Sequence, residues 1–129
     1  NAAFGKAAQE AGALVNDATS PELCDFFLPA ALRDGDLLVT VSTGGVSPAL
    51  SRALKRRLAA HLGAGWGDWL ERLSRLRREA RGRIEGSRGR EDFWRMALSE
   101  HVLDFVEEGR LDEAEAELNH ALDRFVTES

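Results

Sequence analysis

From residue 48 onward the apolar residues return every three or four positions, and this spacing restricts that part of the chain to amphipathic helices. Leu50, Leu54, Leu58 and Leu62 repeat every four residues with Ala53 beside them, and Gly63 closes the run. Ser47 and Pro48 ahead of it are a cap followed by proline at the first helical position, which needs no N–H there. A second stripe holds Trp66, Trp69, Leu70, Leu73 and Leu76, and fades into the glycine- and arginine-rich residues 81–89, which predict a mobile loop. A third takes in Phe93, Trp94, Ala97, Leu98, His101, Val102 and Phe105 up to Gly109, and a fourth Leu111, Ala114, Leu118, Ala121, Leu122 and Phe125. With so short a link, the last two predict a helical hairpin. Heptad spacing does not persist, and no internal repeat is visible.

The first fifty residues read differently. Residues 2–11 predict a short helix stopped by Gly12, and Ala13, Leu14 and Val15 a short buried strand that delivers Asn16 and Asp17 to a loop. Ser20 and Pro21 open a helical turn running to Phe27. Residues 28–33 and 37–42 flank Asp34-Gly35-Asp36, a hairpin signal, with Pro29 marking the first run as an edge. The expected fold class is therefore α+β.

The 43% hydrophobic and 30% charged content of the 129 residues places the chain among globular proteins, outside the disordered range. No apolar run reaches the roughly 20 residues of a membrane span and the first residues lack signal-peptide anatomy, so no membrane partner and a cytoplasmic location are expected. Asn1 in place of methionine, with a helical segment starting at once, suggests a truncated chain. Cys24 is the single cysteine, which excludes an internal disulfide and suggests a small buried hydrophobe. The net charge of −5 conceals three blocks: −4 over residues 1–51, +8 over 52–90 and −9 over 91–129. A basic middle beside an acidic tail suits a polyanionic ligand, subunit pairing or simply solvated helix faces.

No P-loop, zinc cluster, serine nucleophile elbow or Gly-x-Gly-x-x-Gly is present. Two features remain. Asn16 and Asp17 at the end of a strand can bind a cofactor hydroxyl or transfer a proton, or can form a turn that only satisfies its own backbone. Ser42, Thr43, Gly44 and Gly45, leading to the cap Ser47, offer backbone N–H groups and small hydroxyls to an anion, or serve as a hairpin exit needing glycine conformations.

Leu14 to Asn16, Pro21 to Phe26 with Pro29, Gly35 to Leu37, and the block from Val41 through Ser42, Thr43, Gly44, Gly45, Ser47 and Pro48 to Leu50 resemble the precorrin-2 dehydrogenase and sirohydrochlorin ferrochelatase family. Phe93 and Trp94 after an arginine-rich helix resemble its later helical segment. The resemblance covers most of residues 2–100. It implies the C-terminal end of an NAD-binding Rossmann domain at 1–19, a central β-hairpin dimerisation domain at 20–63 and a helical domain at 64–129. It implies NAD-dependent oxidation of precorrin-2 to sirohydrochlorin for siroheme biosynthesis, by a homodimer, with the NAD glycine loop outside this chain and no cofactor residues within it. Substrate contacts fall on Asn16, Ser42, Thr43, Gly44, Gly45 and Ser47, and the eight carboxylates of the substrate give the basic block a use.

The sequence departs from the family at one position. An aspartate used there for proton transfer and metal handling, three residues after the asparagine, is Thr19 here, and a threonine hydroxyl is neither an effective base near neutral pH nor a strong iron ligand. Either Asp17 takes over, which makes Asp17 and Thr19 the catalytic candidates, or chelation is lost; weak or absent chelatase activity is expected. Thr43, beside Ser42, stands where some members carry a phosphorylatable serine. His101 and His120 read as packing or surface residues rather than iron ligands, and Trp66, Trp69 and Trp94 as core rather than macrocycle-stacking groups. Two rival readings stand beside the enzyme. One is a non-catalytic tetrapyrrole-binding or dimerisation module; the other is a nucleic-acid-binding helical protein, which the acidic tail argues against, so no nucleic-acid partner is expected.

Overall fold

Asp34 and Leu37 close a β-hairpin of Ala30–Asp34 (β1) and Leu37–Val41 (β2), and the intervening Gly35 has φ +55°, the positive value that a tight two-residue hairpin loop demands at its first position. The structure is a computed structural model and describes residues 2–128. The other elements are a short helix α1 (Ala2–Glu10), a 3-10 turn at Pro21–Leu23, and helices α2 (Pro48–Leu62), α3 (Trp66–Arg83), α4 (Ser87–Ala97), α5 (Glu100–Glu107) and α6 (Leu111–Glu128). The fold is α+β, with a small hairpin and a helical C-terminal region. Among the described residues no helix is long and apolar enough to cross a membrane.

Contacts divide the chain into two units, one with residues up to Leu32 and Val39–His61, the other with Arg33–Leu38 and the residues from Leu62 on. In the second unit α6 is the element against which α3, α4 and α5 all pack. Its Ala114, Leu118, Ala121 and Leu122 meet Trp69, Leu76 and Ala80 of α3, Phe93 and Ala97 of α4, and Val102 and Val106 of α5. Apolar spacing marks one face of each of these four helices, and that face is the buried one, whereas Leu50, Leu54 and Leu58 on the stripe of α2 are exposed. Polar pairs lie outside the core. Arg72 reaches Asp112 at 2.6 Å and Glu115 at 2.7 Å, and Arg83 reaches Asp123 at 2.8 Å and Glu79 at 3.1 Å. Part of the basic block is thus matched by the acidic tail within one chain.

α3 has glycine at its N-cap, and its first N–H groups turn instead to a carboxylate 31 residues earlier: Asp34 Oδ2 accepts from Gly65 at 3.0 Å and Trp66 at 2.9 Å. Two glycines permit that approach, since a Cβ on Gly35 would lie 2.8 Å from the Gly67 Cα.

Several local expectations need correction. Ala13, Leu14 and Val15 form no strand, and Leu14 is 77% exposed, because among the described residues no neighbouring strand offers a ladder. The turn at Pro21 ends at Leu23 rather than running to Phe27; Cys24 is already extended and half-buried. Residues 81–89 are mostly helical, because Ile84 is buried between α3 and α4 and its carbonyl accepts from Arg90 at 3.1 Å. The third stripe is two helices, divided where the Ser99 hydroxyl accepts from Val102 N–H at 3.4 Å and caps α5; both halves face α6, so the apolar period runs on unbroken.

Candidate functional site

A web of hydrogen bonds, with no sheet, shapes the loop after α1. Val15 and Asp25 exchange bonds, Val15 N–H to Asp25 Oδ2 at 2.9 Å and Asp25 N–H to the Val15 carbonyl at 2.8 Å, while Gln9 of α1 donates to the same carboxylate at 3.0 Å. Those donors hold the Asp25 carboxyl below the usual range, the Gln9 side chain first. Asn16 donates through its amide to the Phe26 carbonyl at 2.8 Å, and the Cys24 sulfur accepts from Asp17 N–H and donates to the Asp17 carbonyl, both at 3.2 Å.

Asp17 is the most heavily engaged side chain in this loop. Its Oδ1 accepts from the Thr19 hydroxyl at 2.7 Å, Thr19 N–H at 2.8 Å and Ser20 N–H at 3.2 Å. The Thr19 hydroxyl is the largest cause of a pKa lowered from the ordinary aspartate value, because each donor stabilises the charged form. A carboxylate so held is a weak proton acceptor near neutral pH.

The corner between β2 and α2 is braced in the same way. Ser42 Oγ accepts from Gly44 N–H at 3.2 Å, Thr43 Oγ1 accepts from Ser47 N–H at 3.0 Å, and Ser47 Oγ caps α2 through Leu50 N–H at 3.2 Å. Ser51, one turn into α2 and buried, donates to the Ser47 carbonyl at 3.3 Å; its oxygen lies 3.2 Å from Thr43 Oγ1, so the Thr43 hydroxyl is the donor left to that contact. Gly45 has φ +82° and packs so closely on the Phe27 ring that any Cβ would collide with it.

Loop and corner enclose a cavity of about 580 Å³. Of the residues singled out from the sequence, Asn16, Asp17, Ser42, Thr43 and Gly45 line it, whereas Thr19, Gly44 and Ser47 support the lining without forming it. Phe27, Leu28 and Pro29 give it an apolar side, and α2 contributes Ser51, Arg52 and Lys55. Sequence reasoning missed those last three as individual residues. The available signal was their position one and two turns on from the cap Ser47, which puts Ser51 and Lys55 on the face that Ser47 begins. An apolar wall, small hydroxyls and two cations suit a ligand with both apolar and anionic parts.

The remaining candidates lie elsewhere. His101 packs against Phe105 with ring centroids 4.3 Å apart and the planes tilted by 53°, and His120 is exposed on α6. Trp69 is buried, Trp66 donates to the Leu62 carbonyl at 2.8 Å, and Trp94 packs edge-on to Phe93 at 4.9 Å. Among the described residues no three histidine, cysteine or acidic side chains are placed to hold a metal ion.

Comparison with known proteins gives two family matches in order along the chain. Residues 34–61 match the region described as "Sirohaem biosynthesis protein central", and residues 65–122 the "Sirohaem synthase dimerisation region". The siroheme synthase of Methylococcus capsulatus is 37% identical over 123 residues, 95% of this chain and 26% of that protein. The siroheme synthases of Nitrosococcus oceani (37% over 112 residues, 87% of this chain and 24% of that protein) and Nitrosomonas europaea (36% over 123 residues, 95% and 26%) are similar to the same extent. The chain spans about a quarter of the length of these relatives. Two consecutive regions of one family, and relatives at this identity along most of its length, leave one assignment: the chain belongs to the siroheme synthase family.

Proposed function

We propose that this chain is the substrate-holding and subunit-pairing part of an NAD-dependent precorrin-2 dehydrogenase, a cytoplasmic homodimer that oxidises precorrin-2 to sirohydrochlorin on the route to siroheme. The carrying observation is the 580 Å³ cavity, in which Arg52 and Lys55 face small hydroxyls and an apolar wall. Each guanidinium or ammonium group offers a charge-assisted hydrogen bond to a carboxylate of the tetrapyrrole, and the Phe27 side covers an edge of the macrocycle. The domain plan read from the sequence, with residues 1–19 ending a dinucleotide domain, 20–63 central and 64–129 helical, belongs to the same proposal.

The described residues do not fit the dinucleotide itself. Their sheet is a two-stranded hairpin, without the parallel strand, glycine loop and helix that cradle a pyrophosphate, so the proposal places NAD on other residues of the enzyme. When bound there the cofactor supplies the hydride acceptor. This chain's task is to hold the substrate by its carboxylates and keep the reacting edge still.

Asp17 and Thr19 are the proposed catalytic pair, and Asn16, Ser42, Thr43, Gly44, Gly45 and Ser47 the substrate-side residues. With the Thr19 hydroxyl already given to Asp17, the pair is poorly equipped to deprotonate a macrocycle or hold iron, which supports weak or absent chelation. The same bond favours a second reading, a tetrapyrrole-binding or dimerisation module without catalysis. Pairing of Arg72 and Arg83 with α6 argues against a nucleic-acid partner.

The test is anaerobic turnover of precorrin-2 with NAD by the enzyme containing this chain, followed by the absorbance of sirohydrochlorin. Turnover that falls in Arg52→Ala/Lys55→Ala and in Asp17→Ala supports the dehydrogenase with Asp17 as a working residue. Tight tetrapyrrole binding without turnover in the parent moves the assignment to the module.

A further inference from the structure

A second cluster of cations stands in the helical unit, apart from the residues used so far. Arg77 and Arg81 follow each other by one turn on α3, and Arg90 comes from the first turns of α4; with Ser87 and Trp94 they line a cavity of about 350 Å³. Four arginines of this unit, Arg72, Arg83, Arg95 and Arg110, each pair with two carboxylates. Arg77 and Arg81 pair with none among the described residues, in a chain that has 22 acidic and 17 basic side chains. Like charges one turn apart oppose the helix. The one acid at the rim, Glu91, is engaged by Arg95 at 3.1 Å.

Trp94 gives the cluster a second property. Its half-buried indole also lines an adjoining apolar hollow of about 750 Å³ with Leu70, Leu73 and Leu98; Arg77 and Glu91 border both spaces, and Asp36 and Arg95 line the hollow. An indole shared by a cationic recess and an apolar one suits a molecule that is flat and apolar at one end and multiply anionic at the other. We propose that the recess between α3 and α4 is a binding site for a flat conjugated oligoanion, held through its phosphates or carboxylates by Arg77, Arg81 and Arg90 and through its ring by Trp94. Two sources share that chemistry, a nucleotide and a carboxylated tetrapyrrole. The site does not depend on the function proposed for the 580 Å³ cavity.

The experiment is equilibrium binding to the full 129-residue chain of three probes: ADP, the octacarboxylate uroporphyrin, and pyrophosphate, which carries charge without a ring. Arg77→Ala/Arg81→Ala is expected to weaken ADP and pyrophosphate at least about tenfold, as loss of two charge-assisted contacts requires, while its helical circular dichroism and melting stay at or above the parent's. Trp94→Leu is expected to weaken ADP and spare pyrophosphate. Uroporphyrin is measured in the Arg52→Ala/Lys55→Ala background, which removes the cations of the other cavity: tighter binding of uroporphyrin than of ADP there names a tetrapyrrole as the occupant, and the reverse order a nucleotide. The proposal is overturned if neither ADP nor uroporphyrin binds that background, or if binding in Arg77→Ala/Arg81→Ala stays within about twofold of its parent. Failure of the dehydrogenase reading would show instead as no precorrin-2 turnover with NAD by the parent enzyme, whatever binds between α3 and α4.

Discussion

The two units bury their apolar residues very differently. Among the described residues, every buried hydrophobic side chain belongs to the helical unit, from Trp69 to Leu122. The unit with the 580 Å³ cavity has one buried polar residue, Ser51, and exposes Leu14, Leu28, Val46, Leu50, Leu54 and Leu58. Its order comes from hydrogen bonds that tie short segments together, such as those of Asp25, Asp17 and Ser47. Such bonds contribute only about 0.5–1.5 kcal/mol each, whereas burial of one large apolar side chain contributes about 1.5–3 kcal/mol. The helical unit therefore has a core of its own, and the cavity's unit has apolar surface to give to a neighbour.

The largest effect that could break this contrast is a core truncation. Leu118→Ala is expected to destabilise the chain by about 3 kcal/mol or more in urea unfolding followed by circular dichroism, because Leu118 is 1% exposed and belongs to the core cluster that α6 shares with three other helices. Leu54→Ala on the exposed stripe of α2 should change unfolding of the monomer by less than about 0.5 kcal/mol. Equal costs would refute the contrast. Asp34→Ala comes next, at about 1–2 kcal/mol by the same measurement, since it strips two N–H partners from the start of α3. Gly45→Ala should leave the helical unit's unfolding unchanged but lower tetrapyrrole affinity, because the new Cβ must displace Phe27 from the cavity wall.

The smallest effect sharpens the picture of the loop. Asp17 has a folded pKa below its unfolded one, so whatever stability it contributes is present above the unfolded value and lost as pH falls through the folded value. Thr19→Val removes the largest cause, and an NMR titration of the Asp17 carboxyl should show its midpoint rise toward that of an ordinary aspartate. An unmoved midpoint would mean that the backbone donors alone hold the charge.

Legibility in the sequence followed the same division. The stripes of Leu54, Trp69, Leu118 and their neighbours were readable because helical period and burial repeat along one segment, and the hairpin was readable because Gly35 marks its loop. The break at Ser99 was hidden because two helices facing one partner keep a common period. Five of the cavity's residues, Asn16, Asp17, Ser42, Thr43 and Gly45, were visible as polar and glycine signals outside any stripe. Arg52 and Lys55 were seen only as part of a charge block, since a sequence shows how many cations a helix carries but not which of them face a loop 35 residues away.

By itself, then, the sequence determined the helix count of the core to within one break, the hairpin, the caps at Ser47 and Pro48, and the family resemblance, all of which rest on neighbours close in the chain. Only the tertiary structure decided which charges are spent on each other, as Arg72 is on Asp112 and Glu115, and which, as Arg77 and Arg81, are left facing a cavity. It also decided that the Asp17 carboxylate is held by Thr19 and that α3 starts on a carboxylate from the hairpin. Charge pairing and long-range capping depend on distances across the fold, and no local pattern encodes those distances.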